Sequence, residues 1–396
     1  MVLNTDPCSL IYKIFLDHRI KEVDILKTVP PEIQRLIQFN DSGHGTYDNA
    51  YYPFVVVPSE HIAGIPKIHL LEAFKQANSQ FYDLVKLNSW SDDQALKISQ
   101  YAVVILLVTS ENLTAINARK RLLRDHPSIA NPNQEQNVTD LFLCSRLQKH
   151  TKSPLIWNYR KHAVKLQLQQ HHDEFQVRQI EELCKHELRM TFVSGEYHPS
   201  NYYAWSYARW LFSDIYSMHI LKKSHAGSAI QTKSYLKRTV ATVQKWSFAH
   251  PRDASGWSFL EWILLFYVNS IHFGVSGVQD DDLLLSTLFE VIRFSTTVSQ
   301  GHETTWCLIK RVLSDPVYVS DKQQQSVIKV ITRYVKSRQI DQYECEHDSA
   351  SEGTTDHIRL KQERALDSLR NKDVYSVLGC LNWTQVVLHL KRNEKR

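Results

Sequence analysis

Metal chemistry and nucleophilic catalysis each need a short set of side chains at fixed spacing, and this 396-residue chain offers only fragments of such sets. His186-Glu-Leu-Arg-Met190 has the first His and the Glu of a zinc-protease helix, but methionine stands where the second imidazole must sit. His171-His172 and Cys345-Glu-His347 each supply two ligand types without a third or fourth, and a solvated surface explains both. Gly43-His-Gly45 lacks the remaining glycines of a dinucleotide loop; there is no Gly-x-x-x-x-Gly-Lys phosphate loop and no Gly-x-Ser-x-Gly nucleophile elbow. The residues therefore predict no self-sufficient active site, no metal site and no cofactor held by this chain.

What the chain does repeat is a short aromatic segment. Ser153-Pro-Leu-Ile-Trp157-Asn-Tyr-Arg160, Pro199-Ser-Asn-Tyr-Tyr-Ala-Trp205 and Pro251-Arg-Asp-Ala-Ser-Gly-Trp257 share a frame with Gly301-His-Glu-Thr-Thr-Trp306 and, upstream, with Ser110-Glu-Asn-Leu-Thr-Ala-Ile116. The slot residues Ile116, Trp157, Trp205, Trp257 and Trp306 are spaced by 41, 48, 52 and 49 residues. Each gap holds one helix, a turn and the start of a second helix, so the unit is a helical hairpin. Ser91-Asp-Asp-Gln94 reads as a capping box opening an apolar helix to Val108. Further first helices are expected at Glu174 to Met190, at Ile230 to Phe248, and from Asp280-Asp-Asp282 to Phe294, where the acids would sit at a positive helix end.

The second helices start at the motif itself. Pro199 and Pro251 stop any helix running in from upstream, and Asn201 and Asp253 are placed to cap free N–H groups. Trp257, Leu260, Leu264 and Leu265 fall at i, i+3, i+7 and i+8, as Trp306, Ile309 and Leu313 do at i, i+3 and i+7. A lone hairpin cannot cover such a stripe, so neighbours must stack. The predicted fold is all-α, an α-α superhelix or curved solenoid of helical hairpins. The expected organisation is an N-terminal capping arm over 1–60, with a leading helix at Leu10 to Ile20 and a β-type Val55 to Val57, then the solenoid over 61–335. An acidic polar loop over 336–358 and C-terminal helices over 359–396 complete it.

Composition narrows the class further. A net charge of +5 spread along the chain is too thin for a nucleic-acid footprint, so no nucleic-acid partner is expected. Eleven Gly and 12 Pro against 18 Tyr, 15 Phe and 9 Trp disfavour both a β-sandwich and disorder. Cys8, Cys144, Cys184, Cys307, Cys345 and Cys380 lie far apart, without the pairing of a secreted disulfide framework, which predicts a reducing, cytoplasmic location. Tyr101 to Val108 is too short to cross a bilayer, and Trp257 to Val278 holds Glu261, Asn269 and His272, so both are expected to be buried helices rather than membrane spans.

The phrase Asn201-Tyr-Tyr-Ala-Trp205, recurring in degenerate form about every 50 residues within helical hairpins, resembles the repeat of the protein prenyltransferase α-subunit family, and the chain looks like a divergent, fungal-type member. The resemblance runs from about Asp92 to Leu313 and is strongest at Tyr197 to Ser206, Ser255-Gly256 and Gly301 to Cys307. It implies a non-catalytic subunit of a heterodimeric, type III-like geranylgeranyltransferase. The partner would be the β subunit of a Rab-type geranylgeranyltransferase, bringing the zinc and the geranylgeranyl diphosphate. The implied substrate is a protein with C-terminal cysteines, such as a Ykt-type SNARE.

Within that resemblance the family's arginine three places after the slot is kept as Arg119 and Arg160 but is Ala208, Leu260 and Ile309 later. The lysine that farnesyltransferase-type members carry before Asn-Tyr is Ser200 here. The residues expected to face substrate or partner are Asn201, Tyr202, Ser200 and Arg160. For Asn201 and Tyr202 a cap and a packing residue is the competing reading, and Trp157, Trp205, Trp257 and Trp306 are expected to anchor the core. The alternative function is a helical-repeat scaffold without prenyl transfer, acting on membrane traffic or the cell wall only indirectly.

Overall fold

The computed structural model describes residues 6–39, 47–170, 177–221, 229–274, 283–298 and 302–314, with 319, 320, 322–327, 329 and 331. The Gly43, His171 and Cys345 fragments, the acids at Asp280 to Asp282, the 336–358 loop and the helices expected beyond 359 lie outside the described residues. The chain divides into two compact units, Met1–Tyr216 and Ser217–Arg396.

The first unit opens with α1 (Pro7–Leu16), β1 (Glu22–Leu26), α2 (Pro31–Phe39), β2 (Val55–Val57), β3 (Ile62–Pro66) and α3 (Lys67–Val85). Asp6 starts α1, its carboxylate accepting from Ser9 N at 3.1 Å, and Pro7 fits the first turn because its missing N–H would have no partner there. The sequence pattern picks out one β-type segment, Val55 to Val57. Among the described residues there are three strands in the order β1-β3-β2, with β1 parallel and β2 antiparallel to β3. The parallel register, Glu22 opposite Ile62, joins segments 40 positions apart, and no local signal announces such a pairing.

Helix pairs follow. α4 (Asp92–Val108), α5 (Leu113–Asp125), α6 (Pro132–Leu143), a one-turn α7 (Gln148–Thr151), α8 (Pro154–Gln170), α9 (Val177–Tyr197) and α10 (Tyr202–Trp210) run in order, and α10 passes into a π-helical segment, Leu211–Leu221. The capping box opening α4 is formed, with Ser91 Oγ accepting from Gln94 N at 3.3 Å and Gln94 Oε1 accepting from Ser91 N at 2.9 Å. Asn131 and Gln134 build a second one at α6. The apolar run from Tyr101 to Leu107 is buried without interruption, because α4 packs against α1, α3 and α5 together.

The second unit contains α11 (Ala229–Ala249), α12 (Ala254–Gly274), α13 (Leu283–Thr297) and α14 (Glu303–Ser314), with α11 packed on α12, and α14 on both α12 and α13. Phe248 and Phe294 stack with ring centroids 4.3 Å apart, and Trp257 lies 6.0 Å from Phe294. Each unit is thus built of helical hairpins, and the fold is an all-α helical-repeat architecture with a small sheet in its N-terminal arm. Among the described residues no helix is long and apolar enough to cross a membrane.

Candidate functional site

The slot residues are buried in both units: Trp157, Trp205, Trp257 and Trp306, with Ile116, sit at or near zero exposure. In four repeats the residue four places before the slot caps the second helix. Asn112, Ser153, Asn201 and Asp253 accept from the N–H of Ala115, Ile156, Ala204 and Gly256 respectively, always the residue just before the slot. Two indoles close the turn further, Trp157 Nε1 donating to Thr151 O at 2.8 Å and Trp257 Nε1 to His250 O at 3.3 Å.

Within each unit these turns also tie one repeat to the one before. Ser153 Oγ donates to Ser110 O, Asn201 Nδ2 to Thr151 O at 2.8 Å, and Thr304 Oγ1 to Pro251 O at 2.7 Å, across 43, 50 and 53 residues. Each accepting carbonyl lies six places before its own repeat's slot. The bond therefore reads the same position from one hairpin to the next, and it gives a partner to a backbone oxygen at the turn.

A second tie is ionic. Arg119 on α5 grips Glu135 on α6 through Nε at 2.8 Å and Nη2 at 2.5 Å, and the Tyr159 phenol on α8 donates to the same carboxylate at 2.6 Å. One repeat on, Arg160 on α8 grips Glu187 on α9 at 2.9 and 2.7 Å, and the Tyr207 phenol on α10 donates to Glu187 Oε2. Arg160 also donates to Gln136 O and Thr139 Oγ1 and pairs with Asp140.

All six members of the two triads are buried. Burial pulls Arg119 down, but the Glu135 carboxylate outweighs it and holds the guanidinium above its ordinary value. Arg160 goes the same way, its burial outweighed by Asp140 and Glu187. Burial first, and then the neighbouring carboxylates, push the Tyr159 and Tyr207 phenols far up, so both remain protonated donors.

The positions expected to face substrate divide accordingly. Arg160 has no exposed surface and Asn201 only 1%. Both spend their polar atoms inside the chain, Asn201 donating to Ser194 Oγ as well as Thr151 O. Each has a buried carbonyl or carboxylate to satisfy, which is a structural role within this chain. Ser200 holds a left-handed backbone at φ 59°, which turns the chain from α9 into α10. Tyr202 is 65% exposed at the start of α10, with its ring edge-on to the half-exposed Tyr203 at 5.6 Å. Of the expected set, Tyr202 alone presents a large side chain to solvent.

Sequence reasoning passed over Glu135, Glu187, Tyr159 and Tyr207. The available signal was the Tyr-Arg pair two and three places after Trp157, with Tyr207 in the same frame after Trp205. In the second unit these two places are Phe259 and Leu260, then Leu308 and Ile309, and α11 contains no acidic residue. In these two repeats the tyrosine and the arginine are replaced together by apolar side chains, so no guanidinium stands at that place to need a buried carboxylate.

Cys8, Cys144 and Cys184 are buried. Burial pushes the Cys8 thiol up to about 12 and raises Cys144 and Cys184 as well, the wrong direction for a metal-binding thiolate. Among the described residues no group of three or more His, Cys, Asp or Glu side chains is placed to hold a metal ion.

Helix pairs sealed by a buried aromatic, capped four places earlier and hydrogen-bonded to the preceding turn define a helical-hairpin repeat protein. Residues 156–274, from α8 to the end of α12, match the family model described as the ECM9 middle domain. Over 252 residues the chain is 23% identical to protein prenyltransferase alpha subunit repeat-containing protein 1 of Danio rerio. The match takes in 55% of this chain and 54% of that relative, so it spans about half the length of the curated protein.

Proposed function

We propose that this chain is a non-catalytic α-type subunit of a protein prenyltransferase. It would pair with a zinc-bearing β subunit of the Rab-type geranylgeranyltransferase and govern which protein is modified at a C-terminal cysteine. The observation that carries this reading is the repeat seam: cap, buried slot residue and buried arginine recur in the order that resembles the prenyltransferase α repeat, in a chain that is similar over 252 residues to a protein named for that repeat. In this division of labour the β subunit supplies the metal and the geranylgeranyl diphosphate. The buried thiols Cys8, Cys144 and Cys184, held up by burial, are poorly suited to that role, which this reading gives to the partner. A Ykt-type SNARE is the substrate class proposed, and the cytoplasm the compartment.

Co-expression with the Rab-type β subunit tests the reading. The expected result is a one-to-one complex that transfers labelled geranylgeranyl to a farnesylated Ykt-type SNARE only when both chains are present. Absence of a complex with any prenyltransferase β subunit overturns it.

A second reading, a repeat scaffold without transfer chemistry, draws on the second unit, where Leu260 and Phe259 stand in the arginine and tyrosine places. It predicts partners recovered by pull-down that include no prenyltransferase β subunit.

A further inference from the structure

In the unit Met1–Tyr216 the two helix layers are unequal. α1 lies across α3, α4 and α6. Phe15 meets Phe142 with centroids 4.7 Å apart, and Ser99 Oγ donates to the Tyr12 hydroxyl at 2.9 Å. The N-terminal arm therefore covers much of the first-helix layer. Its hold extends to the end of α9, where Tyr197 donates to Glu22 on β1 at 2.8 Å.

The second-helix layer, α5, α8 and α10, has no such cover among the described residues, and its outward face is cationic. α8 contains no acidic residue, and Asn158, Lys161, His162 and Lys165 fall at i, i+3, i+4 and i+7 along its outer side. The ammonium groups of Lys161 and Lys165 lie 5.3 and 5.6 Å from the ring centroid of Trp210 on α10. Burial and then the positive charge of Lys120 on α5 hold the His162 imidazole below its ordinary value, which places Lys120 beside it.

Asp214 is the carboxylate whose charge reaches Lys161. It does not form an ion pair with Lys161, and neither Lys120 nor Lys165 is ion-paired with a described residue. Lys120 and Lys165, without a paired carboxylate among the described residues, leave this face with an excess of positive charge that an anionic surface complements on docking. Trp210 is only 9% exposed beneath the lysines, so its face is not offered for a nucleic-acid base to stack on. The apolar floor with a cationic rim fits a protein surface.

We propose that Lys120, Lys161, His162 and Lys165, with Trp210 beneath, form the docking surface for a carboxylate-lined face of the partner subunit. The proposal rests on the subunit reading above, and it assigns the partner's chemistry and the place on this chain where it is read.

The test measures affinity of the full chain for the Rab-type β subunit by titration calorimetry at two salt concentrations, with melting temperature as the check on folding. The K120E/K165E variant alters the two lysines that do not need the half-buried position of Lys161. K161Q/K165Q removes charge without reversing it. K67E/K75E on α3 changes net charge as much as K120E/K165E does, away from the row. The expected result is binding weakened at least about tenfold by K120E/K165E and less by K161Q/K165Q, near-native affinity in the α3 variant, and wild-type binding that falls with added salt.

If the wild type binds and the row variants bind as tightly as the α3 variant, this surface is overturned while the subunit reading stands. If the wild type does not bind the β subunit at all, the subunit reading fails and this proposal falls with it.

Discussion

Tyr207 and Arg160 share one carboxylate. The phenol donates to Glu187 Oε2 at 2.5 Å, and the guanidinium reaches that oxygen from Nε at 2.9 Å and Oε1 from Nη2 at 2.7 Å. With both partners present, a carboxylate that no solvent reaches is compensated in charge and in hydrogen bonds. Removing only the acid leaves Arg160 buried with Asp140 as its remaining counter-charge. Glu187→Ala is expected to destabilise the protein by about 3–5 kcal/mol. The combined change R160L/E187L/Y207F, which imitates the apolar seam of the second unit, is expected to cost less than E187A alone. Urea denaturation of both variants checks the order.

Asn201 and Tyr202 are neighbours with opposite expected outcomes. Asn201→Ala removes donors to Thr151 O and Ser194 Oγ and the cap on Ala204 N, and is expected to cost about 1–3 kcal/mol. Tyr202→Ala, at an exposed ring, is expected to shift stability by no more than about 0.5 kcal/mol. Thermal melts of the two single variants decide the matter. A large loss in Tyr202→Ala would mean that its ring packs more tightly than its exposure indicates.

Burial holds His150 below its ordinary value, and His162 and His198 move the same way for the same first cause. Between those depressed folded values and about 6.5, the unfolded chain binds more protons than the folded one. Stability is therefore expected to fall as pH is lowered through that window and to be restored above it. His150→Gln keeps a donor for Leu106 O, which the imidazole Nε2 reaches at 2.9 Å, while removing the titration. Unfolding free energies measured from about pH 7 to about pH 5 are expected to slope less steeply in the variant. An unchanged slope would assign the acid sensitivity to other groups.

Of the four described cysteines, Cys307 is exposed and Cys8, Cys144 and Cys184 are buried. In a C345S/C380S background, a thiol reagent is expected to modify Cys307 quickly and the other three only on unfolding. Rapid loss of a second thiol in the folded protein would show the core around α1, α6 or α9 opening locally.

The hairpin repeat was legible because its signals are local. The slot tryptophans, the Ser91 box and the Asn201 cap each act within one turn of chain, and a turn's chemistry is written in the residues that make it. What could not be read lies across helices. Arg119 and Arg160 stand out in the sequence, but their acids are 16 and 27 residues away, and those unequal spacings hide the shared geometry. Arg160 looked like a group for a ligand because a charge seen without its partner invites one. The β1–β3 pairing is invisible for the same reason, since each short strand is stable only with the other beside it. The row on α8 was readable as charge but not as a surface, because only the packing of α10 puts Trp210 under it.

The bonds from one turn to the previous one also govern where the chain can change length. From six places before the slot to the slot itself, every step is fixed by the carbonyl that receives, the cap that reaches back and the aromatic that seals. A single inserted residue there would misdirect all three. The slot spacings nonetheless range from 41 to 52 residues, so the differences in length fall outside this short stretch. Changes of length are therefore expected away from these turns, where they leave the seams in register.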